Sequence, residues 1–174
     1  MAMLPIITAP DPRLKQKCQR VARVDAEVRR LMDDMLETMY AAPGIGLAAP
    51  QVGVAKRVLV VDVAKEGEAP APLRMANPEV LWRSDELATS EEGCLSLPEH
   101  YAEVERPARC RVRFIDQDNE IRELEAEGLL ATCIQHEIDH LDGVLFVDHI
   151  SALKRGMILR KLQKAKKLKQ AVPA

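Results

Sequence analysis

The segment GLLATCIQHEIDHLDG, from Gly128 to Gly143, decides the fold of this chain. It is markedly apolar, its apolar residues recur at helical spacing, and a glycine stands at each end. A helix with so few polar positions is buried when the protein folds. We therefore predict an α+β fold in which β-sheets pack around this central helix, with an amphipathic helix at the C-terminal end.

Segments on both sides of the central helix predict the remaining elements. Asp25 can cap a helix that stops at Pro43. A hairpin is predicted from CRVRFID (110–116) to EIRELEA (120–126), and Ser151 can cap a last helix that runs to about Gln170. Further segments with the composition of short, separate strands are 56–64, 73–77, 80–84, 86–90 and 101–104.

Composition favours a cytoplasmic protein made of one domain, residues 1–174. Apolar residues make up 47% of the chain and charged residues 30%, which is ordinary for a globular protein. No apolar run approaches the roughly 20 residues that span a bilayer, and the first residues lack the basic region of a secretory signal. The four cysteines are irregularly spaced, so we expect reduced thiols or metal ligands.

The C-terminal helix, 149–170, is the basic part of an otherwise acidic chain. From His149 onward there are eight Lys or Arg residues and no Asp or Glu, although the net charge of the whole chain is −2. We expect this helix to dock on the body through an apolar stripe and to present its basic face to an anionic partner. Neither DNA nor a membrane is expected as a partner, and the stripe lacks the aromatic residues typical of a helix that lies on a membrane surface. The stripe comprises Ile150, Leu153, Met157, Ile158, Leu162, Ala165 and Leu168.

The HEIDH sequence within the central helix predicts a metal site. Residues four apart share one helix face, so His136 and His140 can bind the same ion. Glu137 can reach a water on that ion without being a ligand. Two histidines and a glutamate in an apolar helix would be costly to bury without such partners.

The third ligand leaves two kinds of site open. Phe146 stands where an extended zincin would have a third histidine, and no glutamate follows Glu137. Cys94, beside a glycine in EEGCLSLP, is the best upstream candidate, and with His136 and His140 it leaves one coordination position open. Cys133 lies one turn before His136 and could close a structural Cys₂His₂ site, but its spacing is unusual and such a site has no use for Glu137.

The segment GIGLAAPQVG, 44–53, matches the glycine pattern of a dinucleotide-binding loop, but its context is reversed. Such a loop follows a strand and begins a helix. Here the segment follows a helix that ends at Pro43 and leads into a strand. We therefore interpret Gly44 and Gly46 as thin walls around a small substrate group.

Three motifs together resemble the signature motifs of the bacterial peptide deformylases: GIGLAAPQ (44–51), EGCLS (92–96) and QHEIDH (135–140). The likeness extends to ITAPDPRL (7–14) and to residues 114–137, and thus covers nearly the whole chain. The resemblance implies a hydrolase that removes the formyl group from the N-terminal formylmethionine of new proteins and releases formate. It also implies one divalent metal ion, Fe²⁺ in the cell, with Zn²⁺, Ni²⁺ or Co²⁺ in its place in a purified protein.

The resemblance assigns a role to each matching residue. Cys94, His136 and His140 become the metal ligands, and Glu137 becomes the catalytic acid and base. The Gln51 side chain and the Leu95 N–H become donors to the oxyanion. Tyr101 stands where some members of the family have an arginine that orients the substrate. For the basic C-terminal helix, the resemblance implies a contact with the ribosome near its exit tunnel. The residues expected to contact the N-formylmethionyl peptide are Gly44, Ile45, Gly46, Glu92, Gly93, Leu129, Thr132 and Cys133.

Two other functions fit parts of the pattern. A metallopeptidase would use the same histidine helix but would need a cleft open on both sides of the scissile bond. A zinc-stabilised RNA-binding domain would use the basic helix and would not need Glu137. Release of formate from a formyl-Met peptide separates both from a deformylase.

Overall fold

The computed structural model describes residues 2–171, with side chains as far as Lys169, and contains three α-helices. Helix α1 spans Ala26–Ala41, α2 spans Gly128–Leu141 and α3 spans Ala152–Ala171. Helix α1 begins as predicted, because Asp25 accepts a hydrogen bond from the N–H of Val28. The ends of the predicted domain, 1 and 172–174, lie outside the described residues. None of the helices within 2–171 combines the length and apolar character that a membrane crossing requires.

Seven strands form two antiparallel sheets. The strands are β1 (Gly46–Ala48), β2 (Val58–Val61), β3 (Leu73–Arg83), β4 (Leu87–Cys94), β5 (Leu97–Pro107), β6 (Arg109–Ile115) and β7 (Ile121–Glu127). Five of them form a sheet in the order β1-β2-β3-β6-β7, and β4 and β5 form a separate hairpin. The predicted hairpin of β6 and β7 is confirmed.

Strand β3 corrects the prediction of two separate strands at 73–77 and 80–84. It runs continuously from Leu73 to Arg83, with irregular register between Ala76 and Glu79. Asn77 lies in this irregular part with a φ of 47°, and its side chain bonds the N–H and C=O of Val21. The gap between the two predicted segments is therefore a bulge inside one strand.

Alternating side chains of the large sheet bind a helix on each face. Leu59 and Val61 of β2 belong to the apolar cluster that contains α2, whereas Val58 and Val60 belong to the cluster that contains α1. Helix α2 is covered on its other side by the β4–β5 hairpin, through Glu92, Cys94 and Arg106. The predicted α+β fold with a buried central helix is confirmed.

Helix α3 docks through a narrower face than the sequence predicted. Lys154 N–H bonds the Ser151 hydroxyl at its start, and Leu162 is buried against the cluster that contains Val104 and Phe146. Leu153, Met157 and Leu168 of the predicted stripe are exposed. They lie about a third of a turn or more away from Leu162 on a helix of 3.6 residues per turn, so they do not reach the body.

Candidate metal centre

Helix α2 presents two buried histidines on one face. His136 and His140 are one turn apart, and their ring centroids are 5.0 Å from each other. The His136 ring also stacks on Phe146, with 6.1 Å between centroids. Burial lowers the pKa of His140 well below its ordinary value, so this imidazole is neutral and has a lone pair for a metal.

Cys94 completes a cluster of three ligand atoms. It is the last residue of β4, and its Sγ lies 3.3 Å from His140 Nε2. The ligand atoms of Cys94, His136 and His140 all lie within 4.8 Å of one another. Among residues 2–171 this is the one cluster of at least three metal-binding side chains, and one thiolate with two imidazoles suits a transition metal.

Cys133 does not belong to this cluster, which excludes the closed Cys₂His₂ site for the described arrangement. Its sulfur points at the carbonyl oxygen of Ile45, 3.6 Å away. Burial raises the pKa of this thiol well above its ordinary value, as is typical of an inert thiol in a protein core.

Glu92 lies behind His136 and is not among the residues that line the cavity, so its expected contact with the substrate stays a prediction. Its Oε1 is 2.9 Å from His136 Nδ1, and the Arg106 guanidinium binds both carboxylate oxygens at 2.6 and 2.9 Å. Burial raises the pKa of Glu92, but the hydrogen bonds from His136 and Arg106 outweigh it and lower the pKa to about 2. The ionised carboxylate holds the proton of His136 on Nδ1 and leaves Nε2 for the metal.

A second carboxylate extends this network to the surface. Arg106 also binds Asp139, with 2.8 Å between Nη1 and Oδ2, and His149 Nε2 lies 2.8 Å from the same oxygen. Asp139 stands between the two histidines of HEIDH, on the side of α2 that meets Arg106. Sequence reasoning missed Arg106, Asp139 and His149, since no motif links residues that meet only after folding.

Glu137 is a buried carboxylate beside the ligand cluster. Burial raises its pKa to about 7, and its Oε1 has no hydrogen-bond partner among the described residues. A β-carbon added to Gly46 would lie 2.5 Å from Glu137 Oε2 and 2.8 Å from Cys133 Sγ. Only a glycine at position 46 therefore lets this carboxylate stand where it does.

Gln51 is fixed with its amide N–H₂ toward the cluster. Its Oε1 accepts a hydrogen bond of 2.9 Å from the N–H of Ala48. Its Nε2 donates to the Ser96 hydroxyl at 3.0 Å and lies 3.5 Å from Cys94 Sγ. Ser96 follows Leu95 in the two-residue turn that joins β4 to β5, and its part in orienting Gln51 was not anticipated from the sequence.

These groups open into a cavity of about 500 Å³. Its lining includes Gly44, Ile45, Gly46, Gln51, Gly93, Cys94, Leu95, Tyr101, His136 and Glu137. Leu129 and Thr132 lie outside the lining of this cavity, on the first turns of α2, and Leu129 is exposed. The roles of Leu129, Thr132 and Cys133 in holding a methionine side chain stay predictions.

This chain is similar to known proteins over nearly its whole length. The sequence profile of the polypeptide deformylases matches residues 3–156. The chain is 59% identical to a peptide deformylase of Agrobacterium fabrum, over 97% of this chain and 99% of the relative. It is 60% identical to that of Methylocella silvestris, over 99% and 90%.

Solved structures show the same fold. The crystal structure of peptide deformylase from Ehrlichia chaffeensis superposes with a TM-score of 0.92 at 39% identity, and covers 97% of this chain and 99% of its own. The same enzyme in complex with actinonin gives 0.90 at 42% identity, over 95% and 98%.

The α+β fold, the ligand cluster and the buried Glu137 define a metal-dependent hydrolase. The chain belongs to the polypeptide deformylase family. Its activity is the removal of the N-formyl group from nascent peptides.

Proposed function

We propose that Cys94, His136 and His140 hold one divalent metal ion, and that Glu137 and Gln51 act on the formyl group of an N-formylmethionyl peptide beside it. The observation that carries this assignment is the cluster of three ligand atoms within 4.8 Å, next to a buried carboxylate with a free oxygen. A closed structural site would have no need for either Glu137 or the cavity.

The donor set fits a transition metal with an open position. When bound, the ion supplies Lewis acidity, which lowers the pKa of a bound water from 15.7 to about 7. We propose Fe²⁺ as the ion in the cell, and Zn²⁺, Ni²⁺ or Co²⁺ can bind the same thiolate and imidazoles. His136 is held for this purpose by Glu92, which fixes its tautomer.

Glu137 is suited to move the protons of the reaction. With a pKa of about 7 its carboxylate accepts a proton from the attacking water near neutral pH, and later donates one to the amine that leaves the formyl carbon. The C–N bond breaks as this proton arrives, and formate and the free N-terminus are the products. A positioned acid and base of this kind contributes about 10²–10⁴-fold to the rate.

Gln51 and the N–H of Leu95 are proposed donors to the oxygen of the formyl group as it gains negative charge. Gln51 is buried and its orientation is set by Ala48, so no reorganisation is needed when charge develops. A neutral amide suits this role because it binds the oxyanion without competing for the metal.

Close backbone walls favour the smallest acyl group. A β-carbon at Gly44 would lie 2.7 Å from Leu95 Cδ1, and one at Gly46 would meet Glu137.

Strand β1, which starts at Gly46, is an edge of the large sheet, so its outer backbone groups can bind an extended peptide. We propose that this edge holds the formylmethionine and that Tyr101 lies along the path of the residues that follow it.

The assignment is tested by formate release from formyl-Met-Ala-Ser, using protein prepared anaerobically with its metal content measured. The Glu137→Gln variant should keep its metal and lose about 10²–10⁴-fold in kcat. Unformylated Met-Ala-Ser should remain intact, which separates a deformylase from a metallopeptidase. Absence of formate with Fe²⁺-loaded wild-type protein would overturn the assignment.

We also propose that α3 brings the enzyme to the ribosome in the cytoplasm. Most of its Lys and Arg side chains are exposed, and Asp and Glu are absent from it. Such a face binds phosphates with an affinity that falls as salt rises. Co-sedimentation with ribosomes between 50 and 200 mM salt tests this, and binding that ignores salt would contradict it.

A further inference from the structure

A second groove, of about 560 Å³, lies between strand β5 and helix α3. Its walls include Tyr101 and Glu103 from the strand and Lys154, Met157 and Lys161 from the helix. Tyr101 also lines the cavity of the metal centre, so one side chain borders both spaces. Nothing in the proposed chemistry uses this groove.

The groove combines apolar surface with positive charge. Tyr101 is 63% exposed and Met157 is 45% exposed, and such neighbouring apolar side chains in solvent are typical of a binding surface. Lys154 and Lys161 form no ion pair with any residue between positions 2 and 169. Because Glu103 is the one acidic side chain in the lining, the groove has an excess of positive charge.

Tyr101 lies between the cavity of the metal centre and this groove. It pairs with Gly93 across the β4–β5 hairpin, and its ring packs on that glycine so closely that a β-carbon there would lie 2.4 Å from Cε1. Gly93 directly precedes the ligand Cys94. A peptide that leaves the ligand cluster along this wall passes Tyr101 and then enters the groove, at about 3.3 Å per residue in extended form.

We propose that this groove binds the substrate residues that follow the formylmethionine, from about the third residue on, and that Lys154 and Lys161 favour acidic residues there. The inference rests on the function proposed above and adds a preference beyond the methionine. Its occupant is the formylated polypeptide itself, because the groove continues the cavity in which the formyl end is bound.

The test compares two peptides that share the sequence formyl-Met-Ala-Ser and continue with three Glu or with three Lys. Wild-type protein should show a kcat/KM about 3–10-fold higher for the acidic peptide at low salt. This difference should come from a lower KM for the acidic peptide, and it should shrink when salt is added. The double variant K154E/K161E should lose or reverse this preference. The double variant K164E/K167E is the matched control, since it makes the same charge change on exposed residues of the same helix outside the groove.

Each other outcome overturns the inference in its own way. Equal kcat/KM for the two peptides, with normal turnover of formyl-Met-Ala, removes the groove from substrate binding and leaves the deformylase assignment intact. Equal effects of the two double variants would assign the preference to the net charge of α3. If K154E/K161E weakens ribosome co-sedimentation and leaves the preference between the two peptides unchanged, the groove binds ribosomal RNA and not the substrate. Failure of wild-type protein to release formate from any peptide would instead sink the function on which the inference rests.

Discussion

His136 and Glu92 form a buried pair in which Nδ1 lies 2.9 Å from Oε1, and the same carboxylate neutralises Arg106. A proposed metal ligand and a buried ion pair therefore depend on the Glu92 side chain. Removing it disturbs both the site and the fold, and the two effects can be measured separately.

The Glu92→Gln variant should bind metal about 10–100-fold more weakly, because an amide holds the His136 ring less firmly than a carboxylate. It should also lose about 3 kcal/mol of unfolding free energy without metal, since Arg106 stays buried with Asp139 as its remaining partner. Metal retained against a graded chelator and urea unfolding measure the two effects. Glu91→Gln, at the exposed neighbouring position, is the control and should change neither.

The Gly46→Ala variant should lower kcat by at least about 100-fold, because its methyl group occupies the space 2.5 Å from Glu137 Oε2 and displaces the carboxylate. Formate release with the metal content measured tests this. Gly156→Ala on α3 is the matched change, since its β-carbon would meet only the flexible end of Arg160. Full activity in Gly46→Ala would contradict this prediction, since it would mean that displacement of the Glu137 carboxylate does not lower kcat.

The Gln51→Leu variant should keep its metal and lose about 10²–10³-fold in kcat, because the oxyanion loses its side-chain donor. Ser96→Ala leaves the amide in place and removes only the hydroxyl that Gln51 Nε2 bonds, so a smaller loss is expected. Formate-release kinetics on both proteins give the comparison. A larger loss in Ser96→Ala than in Gln51→Leu would contradict the donor role.

Tyr40 gives a prediction for alkaline pH. Its hydroxyl donates a 2.5 Å hydrogen bond to Asp62, and burial, with this carboxylate, raises the pKa of Tyr40 from 10.0 to about 12. Because the folded pKa exceeds the unfolded one, the stabilisation is complete below pH 10 and is lost as the pH rises toward 12. Tyr40→Phe should cost about 1 kcal/mol at pH 8 and progressively less above pH 10. Urea unfolding of both proteins at pH 8, 10 and 11 tests this, and a constant difference would refute it.

The central helix could be predicted because its information is local. The spacing of His136 and His140 specifies a shared face, and burial of the helix follows from its apolar composition. The strand of 56–64 was recognised for the same reason, since the β-branched residues of β2 are buried on both faces.

The network behind the ligands could not be predicted, because it depends on register within the β4–β5 hairpin. Cys94 pairs with Leu97 and Gly93 pairs with Tyr101, so three extra residues of β5 bulge beside the metal centre. This shift decides that Arg106 faces Glu92 and α2 and not solvent. The face of α3 that packs on the body is narrower than predicted for a related reason. The spacing of apolar residues does not show which of them contact the rest of the protein.

The hairpin of β4 and β5 shares no strand with the large sheet. A two-stranded unit is marginally stable alone, and its polar links to α2 pass through the same residues that surround the ligands. A metal held by the proposed ligands Cys94, His136 and His140 would therefore act as a cross-link between two parts of the chain. At 100 times its dissociation constant it adds about 2.7 kcal/mol to the folded state. In a cell short of that metal we therefore expect, besides the loss of turnover, a hairpin that opens more often and is cleaved more readily by proteases.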